Sequence, residues 1–145
     1  MKKFTLIFSL LLVSLSTMSL AKDGNDEAGI QFFHGSFKDA LAKAKKEKKM
    51  IFMDAYTTWC GPCKYLKKNV FPDKALGQYM NEKFVSVAVD WESAEGQTLA
   101  AAYPLGAYPT MFFLDANGTT KGTLVGFDQH NPAGTILKEA KKHGK

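Results

Sequence analysis

Arginine is absent from this chain of 145 residues, because all 19 of its basic residues are lysines. Arginine is the side chain best suited to bidentate contacts with phosphates and base edges, so its absence argues against nucleic-acid recognition. A Gly-rich phosphate-binding loop is also missing, and we therefore expect no nucleotide cofactor. The lysines concentrate at 42–49, a pattern typical of the solvated face of a helix.

Cysteine and histidine are scarce as well. The cysteines are Cys60 and Cys63 alone, and the three histidines are scattered along the chain. A zinc site needs four ligands, commonly two such cysteine pairs. Haem attachment needs a histidine directly after the second cysteine, where this chain has Lys64. The sequence therefore predicts neither a metal site nor a haem.

The N-terminus carries the longest apolar run. Two lysines precede the almost wholly apolar residues 4–15, and small residues at cleavage-site positions lead up to Ala21, which is the layout of a secretory signal. The run is shorter than the roughly 20 residues of a spanning helix. We predict a signal peptide at 1–21, a flexible segment at 22–29, and an exported protein, periplasmic or secreted after cleavage near Ala21. An uncleaved membrane anchor is the alternative.

The remaining pattern predicts one α/β domain over residues 30–145. Strands are expected at 31–33 (weakly), 50–55, 84–90, 109–115 and after the Asn117-Gly118 turn to about Phe127, and helices at 36–49, from the WCGPC segment onward, at 73–82, 95–102 and 132–143. Alternating strands and helices imply parallel pairing, and an Asn-Gly hairpin implies antiparallel pairing. We therefore expect a central mixed β-sheet with helices on both faces.

Cys60 and Cys63 lie in a predicted strand–loop–helix context. A disulfide that closes so short a loop contributes only about 2 kcal/mol in the chain-entropy model. A purely structural role for the pair is therefore disfavoured. At the start of a helix, unpaired N–H groups and the helix dipole favour the thiolate form of Cys60. We favour a reactive dithiol, in which Cys60 attacks a substrate disulfide and Cys63, expected to be the more buried, resolves the mixed disulfide.

Three features together resemble the thioredoxin family: WCGPC at 59–63, Asp54 at the end of the preceding strand, and YPT at 108–110 before a later strand. The resemblance runs from about residue 30 to 142. VFPD at 70–73 is similar to a branch of exported members that includes the C-terminal domain of the bacterial transmembrane disulfide-interchange protein. The resemblance implies the thioredoxin fold and a thiol–disulfide oxidoreductase that needs no cofactor beyond its dithiol.

The resemblance also implies a proton acceptor. Asp54 corresponds to the buried acid of the family, and burial would raise its pKa towards neutrality. Such a carboxyl can accept the proton of Cys63 during resolution. Ser86 stands where thioredoxins often place a lysine near that acid, which is a departure from the family pattern.

Substrate contacts are expected from Trp59, Tyr108, Pro109 and Thr110. The resemblance implies a cis peptide bond before Pro109 and a Tyr108 backbone that pairs with an extended substrate. Trp59 is expected to shield the dithiol and to offer an apolar contact.

These features predict an enzyme that reduces protein or peptide disulfides outside the cytoplasm. We expect a monomer, with a membrane electron donor as a candidate partner. The Gly61-Pro62 pair resembles the reducing thioredoxins and favours this direction, while a disulfide isomerase or oxidase is the alternative. A thioredoxin-fold binding or chaperone module, in which the dithiol is incidental, is the alternative from a different class.

Overall fold

The structure is a computed structural model that describes residues 28–144. The predicted signal peptide at 1–21 lies outside the described residues, as does the predicted segment at 22–29 except for its last two residues. Over 28–144, no helix combines the length and the apolar character that a membrane crossing requires.

The order of helices and strands follows the predicted one from the first helix onward. The helices are α1 (Phe37–Glu47), α2 (Gly61–Tyr65), α3 (Lys74–Lys83), α4 (Ala94–Leu99) and α5 (Pro132–His143). The strands are β1 (Met50–Tyr56), β2 (Phe84–Asp90), β3 (Thr110–Leu114) and β4 (Thr120–Val125). Most ends lie within one to three residues of the predicted ends, because caps and turn residues mark them in the sequence.

The strands form a mixed sheet in the order β2-β1-β3-β4. Strand β1 pairs in parallel with β2 and antiparallel with β3, and β3 pairs antiparallel with β4. The predicted turn joins β3 to β4. Gly118 in this turn has a positive φ of 86°, a conformation that is strained for any residue with a side chain. The predicted fold class is confirmed: a mixed sheet with helices on both faces.

The weak first strand is not formed as predicted. Phe32 makes an isolated parallel bridge to Ser86, and the N–H of Phe33 donates to the Ser86 carbonyl at 2.7 Å. The N–H of Gln31 donates to the side chain of Asn81 on α3 at 2.8 Å. The segment therefore touches the β2 edge at one point and does not extend the sheet.

Alternation along β1 assigns its side chains to the two faces of the sheet. Ile51, Met53 and Ala55 join the apolar cluster that contains residues of α1. Phe52 joins the cluster formed by the apolar sides of α3, α5 and the turn after α2. Since strand neighbours alternate in direction, Asp54 shares the face of Phe52 and lies beneath the helix that follows the cysteines.

A π-helical turn, Leu66–Val70, continues α2 and was not predicted. Leu66 and Val70 are buried in it, and the N–H of Phe71 donates to the Leu66 carbonyl at 2.9 Å. Both buried residues join the apolar cluster that contains Phe52. Three residues after this turn, Asp73 accepts a hydrogen bond from the Leu76 N–H and caps the start of α3.

Candidate active site

Cys60 and Cys63 form a disulfide at the start of α2, with 5.3 Å between their Cα atoms. Cys60 is the N-cap residue of the helix, and its Sγ accepts a hydrogen bond from the Cys63 N–H at 3.1 Å. Pro62 fits the first turn because its position there needs no N–H donor. The segment between the cysteines therefore favours a helix start at Cys60.

The two cysteines are equally buried. Each is 4% exposed, so the prediction that Cys63 is the more buried of the pair is wrong. Cys60 differs from Cys63 in two respects. It lies at the helix terminus, and its sulfur accepts a hydrogen bond from a backbone N–H. A negative charge on the Cys60 sulfur would be stabilised by that N–H and by the helix start.

Asp54 is 4% exposed and lies in β1, so it is buried as the resemblance to thioredoxins implied. One of its carboxyl oxygens, Oδ1, has no hydrogen-bond partner among the described residues. Burial raises the pKa of Asp54 from 3.8 to about 7, because desolvation penalises the charged form. The group therefore changes its protonation state near neutral pH.

The positive charge that acts on Asp54 comes from Lys67, in the turn after α2, and it opposes the effect of burial on the Asp54 pKa. Ser86, at the position where the family often has a lysine, is 2% exposed, and its hydroxyl has no partner among the described residues. Ser86 pairs with Phe52 across the strands, so it shares the sheet face of Asp54. The cation near the acid thus lies on the active-site helix rather than on β2.

The Tyr108–Pro109 peptide bond is cis, as predicted. The Pro109 carbonyl accepts a hydrogen bond from the Gly126 N–H at 2.8 Å, which ties this loop to the end of β4. Within residues 28–144, the backbone N–H and C=O of Tyr108 make no hydrogen bond. Thr110 is fully buried, and its Oγ1 donates to the Ala107 carbonyl at 2.7 Å, so its side chain supports the loop and does not line the groove beside it.

A groove of about 580 Å³ opens beside the disulfide. It is lined by residues between the cysteines, at the end of α2, in the cis-proline loop and after β4: Gly61, Pro62, Tyr65, Tyr108, Pro109, Gly126, Phe127 and Gln129. The structure therefore joins Tyr108 and Pro109 to the cysteine motif, although they are far away in sequence.

Trp59 lies next to this groove and is 63% exposed. Its Nε1 donates to the Glu92 carboxylate at 2.9 Å, and its ring meets the Tyr108 ring edge to face with centroids 5.8 Å apart. Trp59 is therefore held on two sides while its ring stays accessible. Trp91, by contrast, is buried and stacks on Phe112 in the core.

Tyr65 and Phe127 were not predicted as site residues. Their rings stack with centroids 5.7 Å apart and planes 7° apart, and both line the groove. Tyr65 is 47% exposed at the end of α2. An exposed aromatic residue shortly after the cysteines was the available signal, but its partner after β4 is brought to it only by the fold.

Comparison with known proteins supports the same interpretation. The family model described as thioredoxin-like matches residues 33–116, which is more than half of the chain. The chain belongs to the thioredoxin-like family. Together with the Cys60–Cys63 pair, this membership makes it a thiol–disulfide oxidoreductase.

Solved structures of other thioredoxin-like proteins resemble this one. The solution structure of a candidate disulphide-isomerase from Bacteroides thetaiotaomicron is 42% identical, with a TM-score of 0.68 over 79% of this chain and 92% of that one. The reduced C-terminal domain of DsbD from Neisseria meningitidis is 26% identical, with a TM-score of 0.60 over 73% of this chain and 92% of that domain.

Relatives found by sequence comparison include a thioredoxin and a thiol:disulfide interchange protein. Thioredoxin-1 of Drosophila melanogaster is 32% identical over 64% of this thioredoxin-like chain and 81% of its own length. The thiol:disulfide interchange protein DsbD of Vibrio vulnificus is 34% identical over 63% of this chain, but the match spans only 16% of DsbD. The similarity to DsbD therefore concerns one part of that larger protein.

Proposed function

We propose that this protein reduces disulfide bonds of protein or peptide substrates outside the cytoplasm. The observation that carries the proposal is the Cys60–Cys63 disulfide at a helix start, with a groove beside it and the buried Asp54 carboxyl on the sheet below. Thioredoxins and disulfide-interchange proteins among its relatives support this substrate class.

In the first step, the reduced protein attacks with Cys60. Its thiolate forms a bond to one substrate sulfur, the substrate S–S bond breaks, and the other substrate sulfur leaves as a thiolate that takes up a proton. The N–H of Cys63, which donates to Cys60 Sγ, stabilises the attacking anion. The product is a mixed disulfide between Cys60 and the substrate.

In the second step, Cys63 resolves this mixed disulfide. Its thiol must lose a proton before it attacks Cys60 Sγ and releases the second substrate thiolate. Asp54 is the proton acceptor in our proposal, because its pKa of about 7 leaves a carboxylate available at neutral pH. The protein ends with its Cys60–Cys63 disulfide, and two electrons have passed to the substrate.

Substrate binding is assigned to Trp59, Tyr108 and Pro109. The unpaired backbone groups of Tyr108 suit an extended substrate segment, which would add to them as a short strand. The exposed ring of Trp59 and the groove offer apolar contacts next to the disulfide. Thr110 takes part through the loop that it supports and not by direct contact.

The direction of electron flow is proposed from the Gly61-Pro62 pair, which resembles the reducing thioredoxins. The measurement is the reduction potential of the Cys60–Cys63 couple in dithiothreitol and glutathione buffers. We expect a value of about −270 mV, and a potential above about −200 mV would instead support an isomerase or oxidase. A reductase also requires a dithiol donor, which we propose is membrane-bound outside the cytoplasm.

Export rests on the N-terminal sequence. The basic start, the apolar residues 4–15 and the small residue Ala21 predict cleavage by signal peptidase. Fractionation of the native host followed by N-terminal sequencing should find a mature chain that begins at Lys22 outside the cytoplasm. A chain that keeps its N-terminus in the membrane fraction would instead support the anchor.

Trapping tests both the enzyme and its substrates. In the native host, Cys63→Ser should leave Cys60 joined to substrates as mixed disulfides that mass spectrometry identifies. Cys60→Ser is the matched control and should trap none, because it lacks the attacking sulfur. A wild-type protein no more active than Cys60→Ser in dithiothreitol-driven disulfide reduction would favour the alternative, a binding module.

A further inference from the structure

One wall of the groove beside the disulfide is a pair of stacked aromatic rings. Tyr65, at the end of α2, and Phe127, just after β4, lie with ring centroids 5.7 Å apart and planes only 7° apart. Tyr65 is one of the large apolar side chains that remain exposed, at 47%. The pair therefore presents an accessible aromatic surface directly beside the Gly61-Pro62 turn between the cysteines.

The groove offers no charge to a ligand. Its lining consists of tyrosine, phenylalanine, proline and glycine residues, and Gln129 supplies the polar side chain apart from the tyrosine hydroxyls. A charged side chain placed there would lose part of its hydration without gaining a partner of opposite charge. A planar apolar side chain would instead pack against rings and release water.

We propose that Tyr65 and Phe127 select substrates that carry an aromatic residue next to the reactive cysteine. This inference rests on the proposed function, because it concerns the segment that delivers a disulfide to Cys60. Tyr108 lines the same groove as Gly61, Pro62 and the aromatic pair, so a substrate segment extended along Tyr108 would lie beside that pair. The side chain beside its cysteine then packs on the Tyr65–Phe127 wall.

A competing preference would come from charge. Lys64, Lys67 and Lys68 are exposed on the same helical segment as Tyr65, although none of them lines the groove. If they dominated, acidic segments would react fastest and the preference would weaken as salt is added. Packing on aromatic rings instead predicts that segments with an aromatic residue react fastest and that added salt does not weaken this preference.

The test uses short peptides with one cysteine joined to glutathione by a disulfide. The peptides differ only at the residue before or after the cysteine, which is Phe, Leu, Glu or Lys. Reduced wild-type protein is mixed with each peptide, and the rate constant of reduction is measured in low salt and in 0.5 M salt (about a 4–5 Å screening length). We expect Phe at one of the two positions to react about tenfold faster than Glu or Lys in both salts.

Variants then assign the preference to the wall. In Tyr65→Ser and Phe127→Ser the ratio between the Phe and Glu peptides should fall to about twofold or less, whereas Tyr65→Phe keeps a ring and should retain it. Val125→Ser is the matched control, because Val125 is exposed and apolar but does not line the groove. The ratio compares two peptides on one protein, so a loss of folded protein cancels.

Three results would overturn the proposal: equal rates for all peptides, a preference for Glu that salt abolishes, or an unchanged ratio in the serine variants. A wild-type protein that reduces no peptide at all, when dithiothreitol shows the disulfides to be reducible, would overturn the proposed function and the preference with it. Reduction without discrimination would overturn the preference alone.

Discussion

The ring of Trp59 meets the ring of Tyr108 edge to face, with centroids 5.8 Å apart and planes 89° apart. Trp59 precedes the first cysteine, and Tyr108 precedes the cis-proline, so this contact joins the two sequence motifs of the site. The hydrogen bond from the Trp59 indole to Glu92 holds the same ring from the loop after β2. Three separate loops thereby meet beside the disulfide.

The aromatic contact should be measurable as a coupling between Trp59 and Tyr108. A double-mutant cycle with Trp59→Ala and Tyr108→Ala, followed by denaturant unfolding of the oxidised protein, should give a coupling free energy of about 1 kcal/mol. The matched pair Trp59→Ala and Tyr65→Ala should be additive within about 0.5 kcal/mol, because their rings are not in contact. Additive effects of Trp59 and Tyr108 would contradict the contact.

The buried carboxyl of Asp54 should make stability depend on pH. Its pKa is raised from 3.8 to about 7, so between these values the folded protein holds a proton that the unfolded chain has lost. The free energy of unfolding should therefore fall as pH rises through this window, by about 4 kcal/mol if the whole shift applies. Asp54→Asn lacks this loss, and its stability relative to wild type should increase from pH 4 to pH 8.

Asp115→Asn is the control for that measurement. Hydrogen bonds to Asp115, chiefly from the Thr119 backbone, lower the pKa of its carboxyl, so it titrates below the Asp54 window. Its stability relative to wild type should stay level between pH 5 and pH 8. Parallel wild-type and Asp54→Asn curves over the same range would show that the carboxyl is not held protonated by burial.

Catalysis should respond to the same carboxyl in the opposite way. The carboxylate form of Asp54 accepts the proton of Cys63, so the wild-type rate of disulfide reduction should rise as pH passes through about 7. Asp54→Asn should lose this rise and react about a hundredfold more slowly at pH 7.5. Glu82→Gln, at an exposed residue, is the control and should keep the wild-type rate and its rise with pH. A variant with the wild-type rate and profile would remove Asp54 from the mechanism.

Gly77 should tolerate no side chain, although it lies inside helix α3. A Cβ atom there would overlap the backbone of Gly29, which packs directly on the helix. Alanine favours a helix over glycine by about 1 kcal/mol, but the overlap should reverse the sign and leave Gly77→Ala about 1–3 kcal/mol less stable. Denaturant unfolding measures the difference. Gly106→Ala, where a Cβ meets open space, should change stability by less than about 0.5 kcal/mol.

Local patterns in the sequence were sufficient for most of the fold. The period of apolar residues, the Ser36 cap and the Asn117-Gly118 turn act over a few residues, so they predicted the helices, strands and hairpin that the structure has. The prediction of a strand at 31–33 was wrong, because the contacts of this segment are tertiary. Phe32 bridges to Ser86 on β2, and the Gln31 N–H donates to Asn81 on α3. The π-helical turn after α2 was not predicted, because one extra residue in a helical turn leaves no periodic pattern in the sequence.

The sequence by itself determined the chemistry, because the spacing of Cys60 and Cys63 and the helix start between them are local features. Only the tertiary structure decided how far Asp54 is buried, since its desolvation depends on every element packed over β1. It also decided that Tyr65 meets Phe127 and that Thr110 turns away from the groove. Contacts between residues far apart in the chain leave no periodic pattern, and these contacts shape the surface that receives a substrate.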